Sequence, residues 1–242
     1  VLDARKNSAV AFFVSKEAMD KNKIPTDLEN IFVFDDTIKA MHVLAKVYLE
    51  IIKSKVIVIT GSVGKTTTKE MLAFVLKDIA KIIATKGNFN NHIGLPLSIF
   101  AAEIDTDFCV LEIGINNFGE MRELASIVEP DIGVILNIGK SHLEKLHDLD
   151  GVLKAKWELV ENIKDNGVLI VNGDDKLLAN KAKKEIKSER IVIKTFGSKL
   201  DNDIVGQMLN IQDFKQKIKI FDEELNLNVL GEAGFYSALA VY

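Results

Sequence analysis

The sequence predicts an α/β fold: a mostly parallel, doubly wound sheet carrying a phosphate-binding loop, preceded by a partial small α/β N-terminal domain. Three observations predict it. From Lys55 onward, short apolar runs without period-two alternation recur between amphipathic segments, the pattern of strands covered on both faces. The first of these runs, Val56 to Ile59, leads directly into Thr60-Gly61-Ser62-Val63-Gly64-Lys65-Thr66-Thr67-Thr68 and then into a helix-patterned segment. Near the end of the chain, polar and apolar residues begin to alternate, as they do in antiparallel strands at a sheet edge.

At the start, Ala9 to Val14 and Ile31 to Phe34 read as short strands, with a polar stretch through Pro25 between them. Asp35-Asp36-Thr37 is a natural helix N-cap region. Beyond it Ile38, Met41, Leu44, Ala45, Tyr48, Leu49 and Ile52 recur at helical spacing. The expected division is a partial N-terminal domain over 1–53 and a central domain over 54–242. Both ends read as cut, so a longer parent is expected.

The loop after Val56 to Ile59 carries the chemistry. Gly61 and Gly64 let the backbone turn sharply and present successive N–H groups, from Ser62 onward, to an anion at the positive end of the following helix. Lys65 is placed to reach terminal phosphates and Thr66 to put its hydroxyl on Mg²⁺. The spacing is Gly-x-x-Gly-Lys-Thr, with Ile59 where the longer signature has a glycine. A helix capped by Ser or Thr beside incidental glycines is the plainer alternative.

In the central block, Lys69 to Lys77 and Met121 to Val128 are amphipathic, while Ile82 to Ala84, Phe108 to Ile113 and Ile132 to Ile138 are apolar. Ligands of such a sheet gather at the carboxyl ends of its strands. Glu112 closes one strand there, where a charge is costly to bury unless paired or metal-bound, so it is expected to face a nucleotide and Mg²⁺; an acid paired with a neighbouring lysine is the alternative. His142, in Asn137-Ile138-Gly139-Lys140-Ser141-His142-Leu143-Glu144, lies off the end of another strand. Lys154-Ala155-Lys156-Trp157-Glu158 reads as helical, its lysines on a solvated face. Val168 to Val171 and Ile191 to Phe196 supply two further strands, and Asn172-Gly173-Asp174-Asp175 a turn and helix cap. Gln216 to Phe221 and Leu225 to Val229 form the closing hairpin.

Composition narrows the function. Of 242 residues 48% are hydrophobic and 27% charged, with a formal net charge of −4, so no basic surplus points to nucleic acid. The lone Cys109 sits in an apolar run and reads as a buried, inert thiol. No apolar run reaches the roughly 20 residues that span a bilayer, and the N-terminus shows no basic-then-apolar signal pattern. A cytoplasmic protein without membrane insertion is expected. Oligomerisation leaves no readable signal, and a monomer is favoured.

Four segments in order, Thr60 to Met71, Gly87-Asn88-Phe89-Asn90-Asn91-His92-Ile93-Gly94-Leu95-Pro96-Leu97, Leu111-Glu112-Ile113-Gly114 and Asn137 to Glu144, resemble the Mur ligase family. The resemblance runs from about Val10 to Val229 and is most specific in the central block. It implies an ATP-dependent amide ligase of peptidoglycan precursor synthesis that works through an acyl phosphate. The long asparagine-rich segment favours the branch that joins D-alanyl-D-alanine to UDP-N-acetylmuramoyl tripeptide, forming ADP and phosphate. By the same resemblance, Gly61, Ser62, Gly64, Lys65, Thr66, Thr67 and Asn137 contact the nucleotide. Asn88, Asn90 and Asn91 contact substrate, and Lys65, Glu112, His142 and Lys156 serve the reaction. Thr66, Glu112, His142 and Lys156, the last once carbamylated, hold Mg²⁺. Amide-rich turns alone would also account for the asparagines.

The chain departs from the family at Gly231-Glu232-Ala233-Gly234-Phe235-Tyr236-Ser237-Ala238, where relatives carry Gly-x-His-Asn-x-x-Asn-Ala near adenine, and the resemblance further implies a C-terminal domain that is expected to be absent here. A sibling ligase adding another amino acid, or a nucleotide-binding module without ligase activity, are the alternative functions. No Asn-Lys-x-Asp segment follows a late strand, which counts against a signalling GTPase.

Overall fold

The computed structural model describes residues 2–21, 24–25, 28–185 and 190–242, so part of the polar stretch before Pro25 lies outside the described residues. In chain order the helices are α1 (Leu2–Lys6), α2 (Lys16–Asp20), α3 (Thr37–Ile52), α4 (Lys65–Leu76), α5 (Gly94–Ile99), α6 (Glu120–Val128), α7 (Leu143–Leu146), α8 (Leu149–Trp157), α9 (Lys176–Glu185) and α10 (Gly231–Val241). The strands are β1 (Phe12–Ser15), β2 (Ile31–Phe34), β3 (Lys55–Thr60), β4 (Ile82–Ala84), β5 (Phe108–Glu112), β6 (Ile132–Ile135), β7 (Val168–Asn172), β8 (Val192–Gly197), β9 (Ile204–Gln212), β10 (Lys215–Ile220) and β11 (Glu223–Leu227).

Among the described residues, β1 and β2 pair in parallel as a small sheet. The other nine strands form one sheet in the order β11-β10-β9-β8-β7-β6-β3-β5-β4. Its pairs from β4 through to β9 are parallel, and β9-β10-β11 are antiparallel. The predicted closing hairpin is therefore present, as β10 and β11. It is joined to the parallel sheet through β9, a strand that the sequence pattern did not reveal. Most of β9 is exposed, including Met208, Leu209 and Ile211, so burial writes no alternation into its residues.

The two faces of the sheet are covered differently, and β3 shows why its sequence is apolar throughout. Val56 and Val58 face one core, shared with Leu49 and Ile52 of α3, Ile99 of α5, Leu124 of α6 and Leu178 of α9. Ile57 and Ile59 face the other, with Met71 and Leu72 of α4 and Phe235 and Leu239 of α10. A strand buried on both sides has no polar face to alternate with. Cys109 is fully buried in the first core, and burial pushes its thiol up to about 11. That is the inert thiol expected.

The strand order places β3 between β5 and β6, with α4 and α6 on opposite faces. At such a reversal of winding the crossovers diverge and leave a crevice at the carboxyl ends of the strands. Residues 61–64, Glu112 and Asn137 all lie at that edge.

Candidate active site

Between β3 and α4 the chain must leave a buried strand and enter a helix within four residues. Gly64 makes this possible in the left-handed region, at φ 87°. At Gly61 a Cβ would lie 3.0 Å from the Leu136 Cβ, so the loop can lie this close to the β6 end only without a side chain. The loop is held open from the β6 side by Asn137, whose Oδ1 accepts from the Ser62 and Val63 N–H groups at 3.1 and 2.9 Å. Its Nδ2 donates to the Val63 carbonyl at 2.9 Å. The Ser62 hydroxyl accepts from the Gly139 N–H at 2.8 Å and lies 3.1 Å from the Ser141 hydroxyl. These bonds fix the loop shape before any ligand arrives.

Lys65, the first residue of α4, folds its Nζ back to the Gly61 carbonyl at 2.9 Å. Burial lowers its pKa below the ordinary lysine value, while the nearby Glu112 charge pulls it back up. One residue on, Thr66 Oγ1 donates to Glu112 Oε2 at 2.8 Å, and Asn90 Nδ2 donates to Glu112 Oε1 at 2.7 Å. Glu112 is only 2% exposed and makes no ion pair among the described residues. A buried carboxylate costs several kcal/mol unless a cation offsets it. Thr66 and Glu112 offer the hard oxygen donors that suit Mg²⁺ beside phosphate oxygens, so the residues present fit that ion.

Lys156 lies on the inner face of α8 and is 2% exposed, its ammonium making neither a hydrogen bond nor an ion pair among the described residues. Burial, and then the charge of Lys65, lower its pKa from 10.5 to about 7. The solvated face expected for this lysine is therefore absent: α8 turns Lys154 outward and Lys156 inward.

Not every sequence candidate converges on Glu112. His142 is exposed at the N-cap of α7, with φ 53°, and makes no hydrogen bond or ion pair to Glu112, Thr66 or Lys156. It lines a shallow pocket with Asn116, Lys140 and Lys145. Among the described residues no group of three or more His, Cys, Asp or Glu side chains could hold a metal. Asn91 accepts from the Ile93 and Gly94 N–H groups at 3.1 and 2.9 Å, capping α5. Asn88 is exposed, and Thr67 borders an apolar groove with Met71 and Phe74.

Two groups escaped the sequence reading. Asp175 does cap α9 as expected, but its second oxygen also accepts from the Ile138 N–H at 2.8 Å, tying that cap to the loop after β6. Asn172, 5% exposed at the end of β7, uses its Oδ1 to accept from the Asp174 N–H at 2.9 Å. It lines a cleft of about 350 Å³ beside the phosphate loop, with Gly64, Asn137, Glu232 and Tyr236. The signal for Asn172 was a polar residue ending an apolar strand, the same signal that marked Glu112. Tyr236 donates its hydroxyl to Asp174 at 3.1 Å, and burial pushes its pKa up to about 12, helped by the Asp174 charge. The divergent 231–238 segment thus brings a tyrosine, rather than amides, to this cleft.

Residues 59–242 match the model of the Mur ligase middle domain. The chain is 38% identical over 226 residues to the UDP-N-acetylmuramoyl-tripeptide–D-alanyl-D-alanine ligase of Bacillus subtilis, an alignment covering 90% of this chain and 47% of that protein. It is 34% identical to the Escherichia coli ligase of the same name over 71% of this chain and 36% of the relative. Among solved structures, Thermotoga maritima MurF in complex with ADP superposes with a TM-score of 0.83 at 26% identity, over 98% of this chain and 54% of that one. Acinetobacter baumannii MurF does so with a TM-score of 0.82 at 31% identity, over 90% of this chain and 49% of that one. The chain spans about half the length of the curated relatives it matches, or less.

Proposed function

This chain belongs to the Mur ligase family, and from that premise we propose that it is the ATP-binding core of a cytoplasmic ligase joining D-alanyl-D-alanine to UDP-N-acetylmuramoyl tripeptide. The observation that carries the reading is Glu112: a buried carboxylate with no ion pair among the described residues, gripped by Thr66 and Asn90 beneath a preformed phosphate loop. Residues 1–53 belong to the part that binds the UDP-linked substrate, and 54–242 form the nucleotide domain.

In this reading the N–H groups from Gly64 to Thr66, where α4 begins, bind phosphate, while those of Ser62 and Val63 stay on Asn137. Lys65 turns its ammonium from the Gly61 carbonyl to the terminal phosphates. Thr66 and Glu112 hold Mg²⁺, which neutralises phosphate charge when bound. Phosphoryl transfer depends on such positioning and neutralisation more than on covalent help from the protein. The substrate carboxylate takes the γ-phosphoryl group of ATP as ADP leaves. The amine of D-alanyl-D-alanine then attacks the acyl phosphate, releasing phosphate and forming the amide.

Lys156 contributes by being neutral. A lysine with a pKa of about 7 presents free amine near neutral pH, as carbamylation by CO₂ requires. The product is an anionic oxygen ligand where an ammonium would repel Mg²⁺. His142 would join the site only by moving from its exposed position, a movement of the kind that closure on ligands supplies.

The test is phosphate release from Mg·ATP by the protein at its full natural length, given UDP-N-acetylmuramoyl tripeptide with D-alanyl-D-alanine present, absent or replaced by single amino acids. Release that requires the dipeptide, and that Lys65→Ala abolishes, is expected. Release with a different amine would move the assignment to a sibling. Release independent of the substrate would end the ligase reading.

A further inference from the structure

Lys69 is fully buried, yet nothing in the proposed chemistry uses it. It lies one helical turn after Lys65 on the inner face of α4. Its Nζ donates to the Thr85 carbonyl at 2.5 Å and pairs with Glu70 at 2.7 Å. The Glu70 side chain is 66% exposed, so most of the environment of this ammonium is protein interior. Removing a lysine from water is costly, and a methionine of similar length would fill the same space without that cost. The charge therefore needs a reason, and Thr85 supplies one.

Thr85 is the point where the β4 ladder ends and the chain leaves for the asparagine-rich loop. All of its polar groups are committed. Its N–H donates to the Val110 carbonyl at 3.0 Å. Its hydroxyl accepts from the Glu112 N–H, also at 3.0 Å. Its carbonyl has left the ladder and receives the Lys69 ammonium. The loop it starts returns at Asn90, which donates to Glu112 Oε1. Glu112 is thus held at three points: its main chain by Thr85 and its two carboxylate oxygens by Asn90 and Thr66. Thr66 and Lys69 both stand on α4, so the helix touches the carboxylate directly and touches the root of the loop through Lys69.

We propose that Lys69 is a positioning residue: by clamping Thr85 to α4 it sets the distance between the Thr66 hydroxyl and the Glu112 carboxylate, and so the geometry of the Mg²⁺ position. The inference rests on the assignment of Thr66 and Glu112 as metal ligands. Partners of metal ligands carry their influence through geometry, and losing one costs about 10- to 100-fold in metal affinity.

The experiment measures ADP binding by calorimetry with and without Mg²⁺, for the native protein, Lys69→Met, Thr85→Val and the double variant. Thr85→Val removes the acceptor of the Glu112 N–H while keeping the carbonyl that Lys69 holds. Each single variant is expected to lose about tenfold in Mg²⁺ affinity with metal-free ADP affinity unchanged, and the double variant to lose hardly more than either, because both act on one linkage. Equal losses with and without Mg²⁺, or effects that multiply in the double variant, would overturn the proposal. A readout without ligand guards against a poorly folding Lys69→Met: exchange of the Glu112 amide hydrogen should quicken in Lys69→Arg and Thr85→Val alike, and native protection in both would also overturn it. Failure of the native protein to bind Mg·ADP would instead count against the ligand assignment, and the amide exchange would still decide the role of Lys69.

Discussion

Replacing Lys156 by methionine should stabilise the protein, and the gain should shrink as pH rises. The folded-state pKa of Lys156 is about 7 against an ordinary 10.5, with burial the main cause and the Lys65 charge the second. Below the folded value both folded and unfolded chains carry the proton, and the full penalty of a buried ammonium stands. Between the two values the folded chain has released a proton that the unfolded chain still holds, so stability climbs with pH. Each unit corresponds to about 1.4 kcal/mol, which makes the penalty about 5 kcal/mol at about pH 6 and about 2 kcal/mol at about pH 9. Lys156→Met has no such dependence. Its advantage over the native protein should therefore fall by about 3 kcal/mol across that range, whatever the methionine gains or loses in packing. Urea unfolding of both proteins in buffers freed of CO₂ measures the difference, because exclusion of CO₂ keeps the amine unmodified. A gap between the two proteins that stays constant from acid to alkaline pH would show that Lys156 is charged in the folded state, and the reasoning about its chemistry would fall with it.

Two other expectations follow from named contacts. With isotope-labelled carbon dioxide near neutral pH, carbon NMR should show a carbamate resonance that vanishes in Lys156→Met; no resonance in the native protein would remove this lysine from the proposed metal ligands. Asn91→Ala should lower stability by about 1 kcal/mol, the usual cost of a lost helix cap, while Asn91→Asp keeps most of it. Thermal unfolding reads that loss, and an unchanged midpoint would mean that the cap of α5 contributes nothing.

The phosphate loop was legible because its chemistry is local. Glycine, lysine and threonine must be consecutive to turn a strand into a helix N-terminus, so the requirement is written in consecutive letters. Glu112 was legible for a similar reason, a charge closing an apolar strand. Strands β3, β5 and β6 announced themselves because both of their faces are buried. By contrast β9 is mostly exposed, and its contribution to the sheet is made by the backbone, which any residue supplies. The loop clamp at Thr85 was illegible because its three contacts join residues 16, 25 and 27 positions apart in sequence.

Lys154 and Lys156 isolate what a linear reading lacks. They are chemically identical, two residues apart and on the same helix. At 3.6 residues per turn, two positions are about 200° around the axis, so one must face inward if the other faces out. Lys154 stays exposed, its Nζ 5.9 Å from the Phe118 ring centre. Lys156 is carried by the same geometry into the interior, toward Lys65, where burial and like charge together drive it toward the neutral amine. Nothing in either letter distinguishes the two. The distinction comes from Val152 and Ala155, which are fully buried and fix the inward face of α8 against the core. The burial of Lys156 is thus set by neighbours that the proposed chemistry does not use. A charged substitution at Val152 that turned this helix would be expected to restore an ordinary lysine at 156 while leaving the phosphate loop untouched.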